Sequence, residues 1–174
     1  MSGHVIISHG LESSPQATKA TALASVAETL GWSHERPDYR SWDNDFSRSR
    51  MGDVEGRLRH LLELARRVDG PLVLAGSSMG AFISARASLE VPVRGLFLMA
   101  PPVTMQGYEI ALEAAPVPTH IVHGWDDELI PAREVARWAQ SRRDHTVFVN
   151  DSHRLANHVQ FCAEEFGRFL KGLA

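Results

Sequence analysis

Cysteine is nearly absent from the 174 residues: Cys162 stands alone, so no intrachain disulfide can form. Its apolar helical surroundings point to an inert buried thiol rather than a reactive one. Long apolar runs are missing too, and none approaches the length that spans a bilayer. Met1-Ser2-Gly3-His4 runs directly into a strand pattern without the features of a signal peptide, so a cytoplasmic protein is the default expectation. Charge of one sign is not in excess: 18 Lys and Arg face 21 Asp and Glu, for a net charge of −3 and a pI near 6.3. That balance gives no electrostatic basis for binding nucleic acid or an anionic membrane. Repeats, linkers and low-complexity segments are lacking, and the length suits one sizeable core rather than two. A single domain over residues 1–174 follows.

What is present is a strict alternation of apolar strand-like runs and helical stretches. Strands are expected at His4–His9, more weakly at Trp32–Asp38, then at Leu72–Ser77, Val93–Met99, Thr119–His123 and Thr146–Val149. Helices are expected at Gln16–Leu30, Val54–Val68, after Ser78, from Pro131 to Arg142, and at Leu155–Leu170. Tyr39–Asp53 reads as a polar loop carrying Trp42 and Phe46, and residues 103–118 as irregular or a short helix. Six strands alternating with helices imply an α/β fold, a three-layer α/β/α sandwich around a mostly parallel sheet. In such sheets reactive groups gather beyond the carboxyl ends of the strands.

The most informative stretch lies at one of those ends. Leu72-Val73-Leu74-Ala75 meets Gly76-Ser77-Ser78-Met79-Gly80 and passes into the helical Ala81-Phe82-Ile83. A serine at the apex of so tight a turn is exposed, and glycines two residues either side relieve crowding at the bend. A serine hydroxyl needs a base, and the base needs an acid to hold its tautomer. The acid candidates are Asp126, Asp127 and Glu128, in a row between a strand end and a proline-started helix. Carboxylates there also favour the helix N-terminus whatever else they do. The base candidate is His153, directly after the last strand; His158 falls inside the expected helix and would point elsewhere. His34, His60, His120 and His145 read as structural or exposed. No histidine pair has the spacing and context of a metal site, and no cofactor is implied.

A developing oxyanion would need donors. The backbone N–H of Met79 is one, and the N–H of Leu11, in the loop after Gly10, is the other. Glu12, beside that loop, is expected to face solvent. Leu11, Met79, Trp125, Leu129 and Leu155 are candidate pocket walls, with Pro101 and Pro102 nearby.

Three separate stretches together resemble the α/β-hydrolase superfamily. They are His9-Gly10-Leu11-x-Ser13-Ser14-Pro15, Gly76-x-Ser78-x-Gly80, and His123-Gly124-x-x-Asp127-x-x-Ile130-Pro131 followed by His153. The resemblance covers nearly the whole chain, and its first stretch is similar to small, lidless bacterial esterase-like members. It implies strand order 2-1-3-4-5-6 and a Ser78–His153–Asp127 triad with Asp127 preferred over Asp126; the sequence departs from the family in lacking the usual N-terminal antiparallel hairpin, so a minimal version of the fold is expected. It further implies a serine hydrolase acting on a small acyl ester or thioester substrate. The alternative is a catalytically weak binding or signalling protein on the same scaffold, with the Trp42 and Phe46 loop as a contact surface. Substrate identity and oligomeric state are not readable from the sequence.

Overall fold

The structure, a computed structural model, describes residues 3–173. Six strands form one sheet: β1 His4–Ser8, β2 Ser33–Glu35, β3 Leu72–Ser77, β4 Gly95–Met99, β5 Thr119–Gly124 and β6 His145–Val149. Their order is β2-β1-β3-β4-β5-β6, and every pairing is parallel. The helices are α1 Thr18–Thr29, α2 Arg40–Asp43, α3 Val54–Ala65, α4 Met79–Ala87, α5 Ala132–Arg142 and α6 Val159–Leu173.

Side chains alternate across a strand, and a sheet covered on both faces needs apolar residues at both parities. In β1 and β3 this is met residue by residue. Ile6, Leu72 and Leu74 enter the core on the α3, α4 and α5 side, with Leu61, Phe82 and Val135. Val5, Ile7, Val73 and Ala75 enter the other core with Leu23 of α1 and Cys162, Phe166 and Leu170 of α6. Cys162 is fully buried in that second core. Burial pushes its thiol up to about 11, well away from the reactive thiolate range.

Two local expectations are corrected. The segment 39–53 is not wholly loop: Arg40–Asp43 forms one helical turn, and Trp42 stacks on His60 at 4.7 Å between ring centroids while Phe46 stays exposed. The last helix begins later than Leu155, after a short 3₁₀ turn at Ala156–His158. Of the two expectations for residues 103–118, the irregular one holds, with no helix there. Met105 and Leu112 are buried against the α4 side, and Trp138 of α5 donates from Nε1 to the Leu112 carbonyl at 3.0 Å. Tyr108 donates to Glu55 of α3. The segment is therefore pinned down along the helices.

Burial also fixes a pH response. His9 and His123 are enclosed, and desolvation holds both rings below the usual histidine value, so they stay neutral in the fold. In the unfolded chain the same rings take up protons near pH ~6.5. The unfolded state then binds more protons, and stability is lost as pH falls through that value. Thermal unfolding followed from about pH 7.5 to about pH 5 should show a falling midpoint.

Candidate active site

The Ser78 turn is built by contact as much as by conformation. Ser78 sits at φ 53° and ψ −118°, a region that costs a non-glycine residue on the order of 1–3 kcal/mol. A Cβ on Gly76 would lie 2.3 Å from the Gly80 carbonyl carbon, and one on Gly80 would lie 1.9 Å from the Ser8 carbonyl oxygen. The two glycines thus let α4 start directly on top of β3 and against the end of β1. Phe82 N–H closes the first helical turn onto the Ser78 carbonyl at 3.0 Å.

From that apex the Ser78 hydroxyl reaches His153. Ser78 Oγ is 2.9 Å from His153 Nε2, and His153 Nδ1 is 2.8 Å from Asp127 Oδ2. A carboxylate can only accept, so Nδ1 carries the proton and Nε2 is left to accept from the serine. Asp127 Oδ1 is occupied from the other side, accepting from the backbone N–H of Leu129 at 2.9 Å and Ile130 at 2.7 Å. Burial pushes the Asp127 carboxyl up, but the His153 hydrogen bond and these two N–H donors outweigh it and hold the group below its usual value. Asp127 therefore both closes the loop before α5 and orients the imidazole.

The other two acids divide different work. Asp126 is exposed, while Glu128 Oε2 accepts from the His153 backbone N–H at 3.0 Å. Gly124 permits the approach of the two loops: a Cβ there would lie 2.3 Å from the Asp151 carbonyl oxygen. Asp151, which sequence reasoning passed over, braces the His153 loop from below. Its carboxylate accepts from Ser152 N at 2.8 Å, Asn157 N at 2.9 Å and His158 Nδ1 at 2.8 Å. His158 does point away from Ser78, as expected, but it has a partner of its own. The signal was present as Asp151 and His158 seven residues apart, readable only once the 3₁₀ turn between them is known.

On the opposite side, the loop after β1 presses on the same serine. A Cβ on Gly10 would be 3.5 Å from Ser78 Cβ. The Leu11 and Met79 N–H groups find no acceptor among the described residues, and Glu12 is exposed. The loop is held by Arg57, which sequence reasoning passed over and the structure buries completely. Its guanidinium pairs with Asp43 at 2.5 and 3.0 Å and donates from Nη2 to the carbonyls of His9 at 3.0 Å and Gly10 at 3.2 Å. His9 Nε2 accepts from Tyr39 N at 3.0 Å, so its Nδ1 carries the proton and donates to the Gly10 carbonyl at 2.7 Å. Arg57→Met leaves Asp43 buried without its cation, and a loss of ~3–5 kcal/mol is expected. For a chain of this size the melting temperature should fall on the order of 10 °C, measurable by calorimetry.

The pocket candidates fare unequally. Leu11 packs at the edge of the α3–α4 core, and Met79, Pro101 and Pro102 are buried. Trp125 is 54% exposed and stacks on Phe148 at 4.4 Å, and Leu129 is 64% exposed. Leu155 is not a pocket wall. It adopts φ 52°, and that left-handed turn directs its side chain into the α1–α6 core, where it is fully buried.

A serine on a strained strand-to-helix turn, abutted by the loop after the first strand of a parallel sheet, is the arrangement of the α/β-hydrolase fold. The family model described as alpha/beta hydrolase domain matches residues 3–161, and the chain belongs to that family. A Xanthomonas campestris protein described as a hydrolase of the alpha/beta superfamily is 53% identical, with TM-score 0.96 over 98% of this chain and 99% of its own. An alpha-beta serine hydrolase homologue from Coxiella burnetii is 26% identical, with TM-score 0.72 over 97% of this chain and 85% of its own. A second Xanthomonas campestris protein, described as a serine hydrolase without a lid, shares the fold at 20% identity, with TM-score 0.75 over 99% of this chain and 83% of its own. A search of curated protein sequences gave no match. Among the described residues no helix is long and apolar enough to cross a membrane.

Proposed function

We propose that the protein is a serine hydrolase that cleaves small carboxylic esters or thioesters through an acyl-enzyme. The observation that carries this reading is the continuous chain of contacts Ser78 Oγ–His153 Nε2 at 2.9 Å and His153 Nδ1–Asp127 Oδ2 at 2.8 Å. In the reaction, His153 takes the Ser78 proton as the oxygen attacks the acyl carbonyl, and Asp127 stabilises the resulting imidazolium. The oxyanion would accept from Met79 N–H and Leu11 N–H, two fixed donors that need no reorganisation. His153 then returns its proton to the leaving alkoxide or thiolate. A water deprotonated by the same ring attacks the acyl-enzyme and restores Ser78.

The substrate class follows from what surrounds the serine. Residues 103–118 are tied to α3 and α5, and the apolar side chains Trp125 and Leu129 stay open to solvent. We take these open side chains as the apolar edge of the acyl site, which favours a short acyl group over a long one. A panel of p-nitrophenyl esters and acyl thioesters of graded length tests this. Turnover should be highest for the shortest chains, with a burst of p-nitrophenol equal to the enzyme concentration where deacylation is slow. Absence of turnover across the panel would overturn the reading.

A further inference from the structure

We propose that His120, His145 and Glu165 form a site for one divalent transition-metal ion of the Zn²⁺ class, at the end of the sheet opposite Ser78. His120 and His145 lie at the amino ends of the neighbouring strands β5 and β6, and the parallel register pairs them directly. Their rings are 4.3 Å apart between centroids. Glu165 of α6 comes over them, and one ligand atom from each of the three residues lies within 4.8 Å of the others.

Two observations separate this cluster from an ordinary ion pair. His120 Nε2 is buried and makes no hydrogen bond, although Glu165 Oε2 is only 3.0 Å away. The two atoms are close without pointing at one another. Ligands of a tetrahedral ion with bonds of about 2.0–2.1 Å stand about 3.3 Å apart in that relation, both directed at the metal instead. The His120 side chain is 9% exposed, so its orphaned nitrogen has no ready access to water in compensation. The second observation is an access path. His145 is exposed at the margin of an open cavity of about 660 Å³ that both histidines line with Phe169, Arg143 and residues 116–119. Phe97 and Phe169 flank the His120 ring and give the site an apolar wall.

Two imidazoles and one carboxylate select Zn²⁺, Co²⁺ or Ni²⁺ over Mg²⁺ or Ca²⁺, which require oxygen donors. Glu165 would bind through Oε2 alone, because Oε1 is taken by Arg168. Arg168 is two-thirds exposed, and its charge opposes the ion. Of the other charges at the cavity, Arg142 and Asp144 are paired with each other at 2.7 Å, while Arg143 is exposed and, like Arg168, opposes the ion.

The test is calorimetric titration of the full chain, stripped with chelator, with Zn²⁺, and with Co²⁺ as a spectroscopic probe. One Zn²⁺ should bind per chain and raise the melting temperature, and Co²⁺ should give the visible absorption of low-coordinate N and O ligation. His145→Ala, at the exposed member of the three, should abolish all three signals. His153→Ala should keep them, which separates this site from Ser78 and its partners. Arg168→Ala should tighten binding. No Zn²⁺ uptake by the parent protein, or uptake that survives His145→Ala unchanged, would overturn the proposal.

Discussion

Ser78→Ala is expected to reduce hydrolysis of a short-chain p-nitrophenyl ester by up to ~10⁶ in turnover, leaving at most a small residue from the oxyanion donors and binding. The size of the loss follows from the position of the side chain. Ser78 is the N-cap residue of α4 but makes no capping hydrogen bond with its side chain, so the hydroxyl has no structural duty there. It bonds instead to His153 Nε2. Removing the oxygen should therefore leave the melting temperature near that of the parent while activity disappears. Steady-state kinetics beside thermal unfolding checks both halves. An alanine variant with parental activity would mean that another group attacks the substrate.

The second large effect separates two adjacent carboxylates. Asp127→Asn is expected to lower kcat by ~10⁴, because an amide in that place no longer holds the proton on His153 Nδ1. The loss should be mostly in kcat, since substrate does not touch Asp127. Asp126→Asn should be close to parental, because the Asp126 side chain is exposed and only its backbone is engaged, donating to the Asp151 carbonyl at 3.1 Å. A reversed pattern, dead Asp126→Asn with normal Asp127→Asn, would contradict the assignment of the acid.

What was legible in the sequence was whatever is decided locally. The Gly76–Gly80 turn is specified by residues within two positions of Ser78, and the parallel sheet by six apolar runs alternating with helical patterns. Asp127 was legible only as part of a spaced pattern running from His123 to Pro131. Its two N–H partners, Leu129 and Ile130, lie within three residues, so that pattern encodes a real local turn. What escaped was set by tertiary approach. Nothing near Arg57 in the chain announces that its guanidinium reaches the His9 and Gly10 carbonyls nearly fifty residues away. Periodicity places Leu155 after a strand end, among the site loops, yet a single left-handed residue reverses where its side chain goes. Likewise His120 and His145 look unrelated until the β5–β6 register sets them side by side.

The two sides of the site are also stabilised differently. Asp127, Glu128 and Asp151 hold the His153 loop through hydrogen bonds from backbone N–H groups and imidazoles. The loop after β1 depends on one buried guanidinium and the carboxylate that neutralises it. Replacing both Arg57 and Asp43 by apolar residues can restore stability, since buried ion pairs often yield to well-packed hydrophobic ones. It would not restore the donors to His9 and Gly10, and a displaced Leu11 N–H should still cost turnover, up to ~10² for a shift of about 1 Å.

The nucleophilicity of Ser78 is open to direct measurement with a fluorophosphonate probe, with the labelled peptide located by mass spectrometry. The structure-based account predicts stoichiometric labelling at Ser78, lost in Ser78→Ala and strongly slowed in His153→Ala. An unlabelled protein, or a label carried by a different residue, would contradict it.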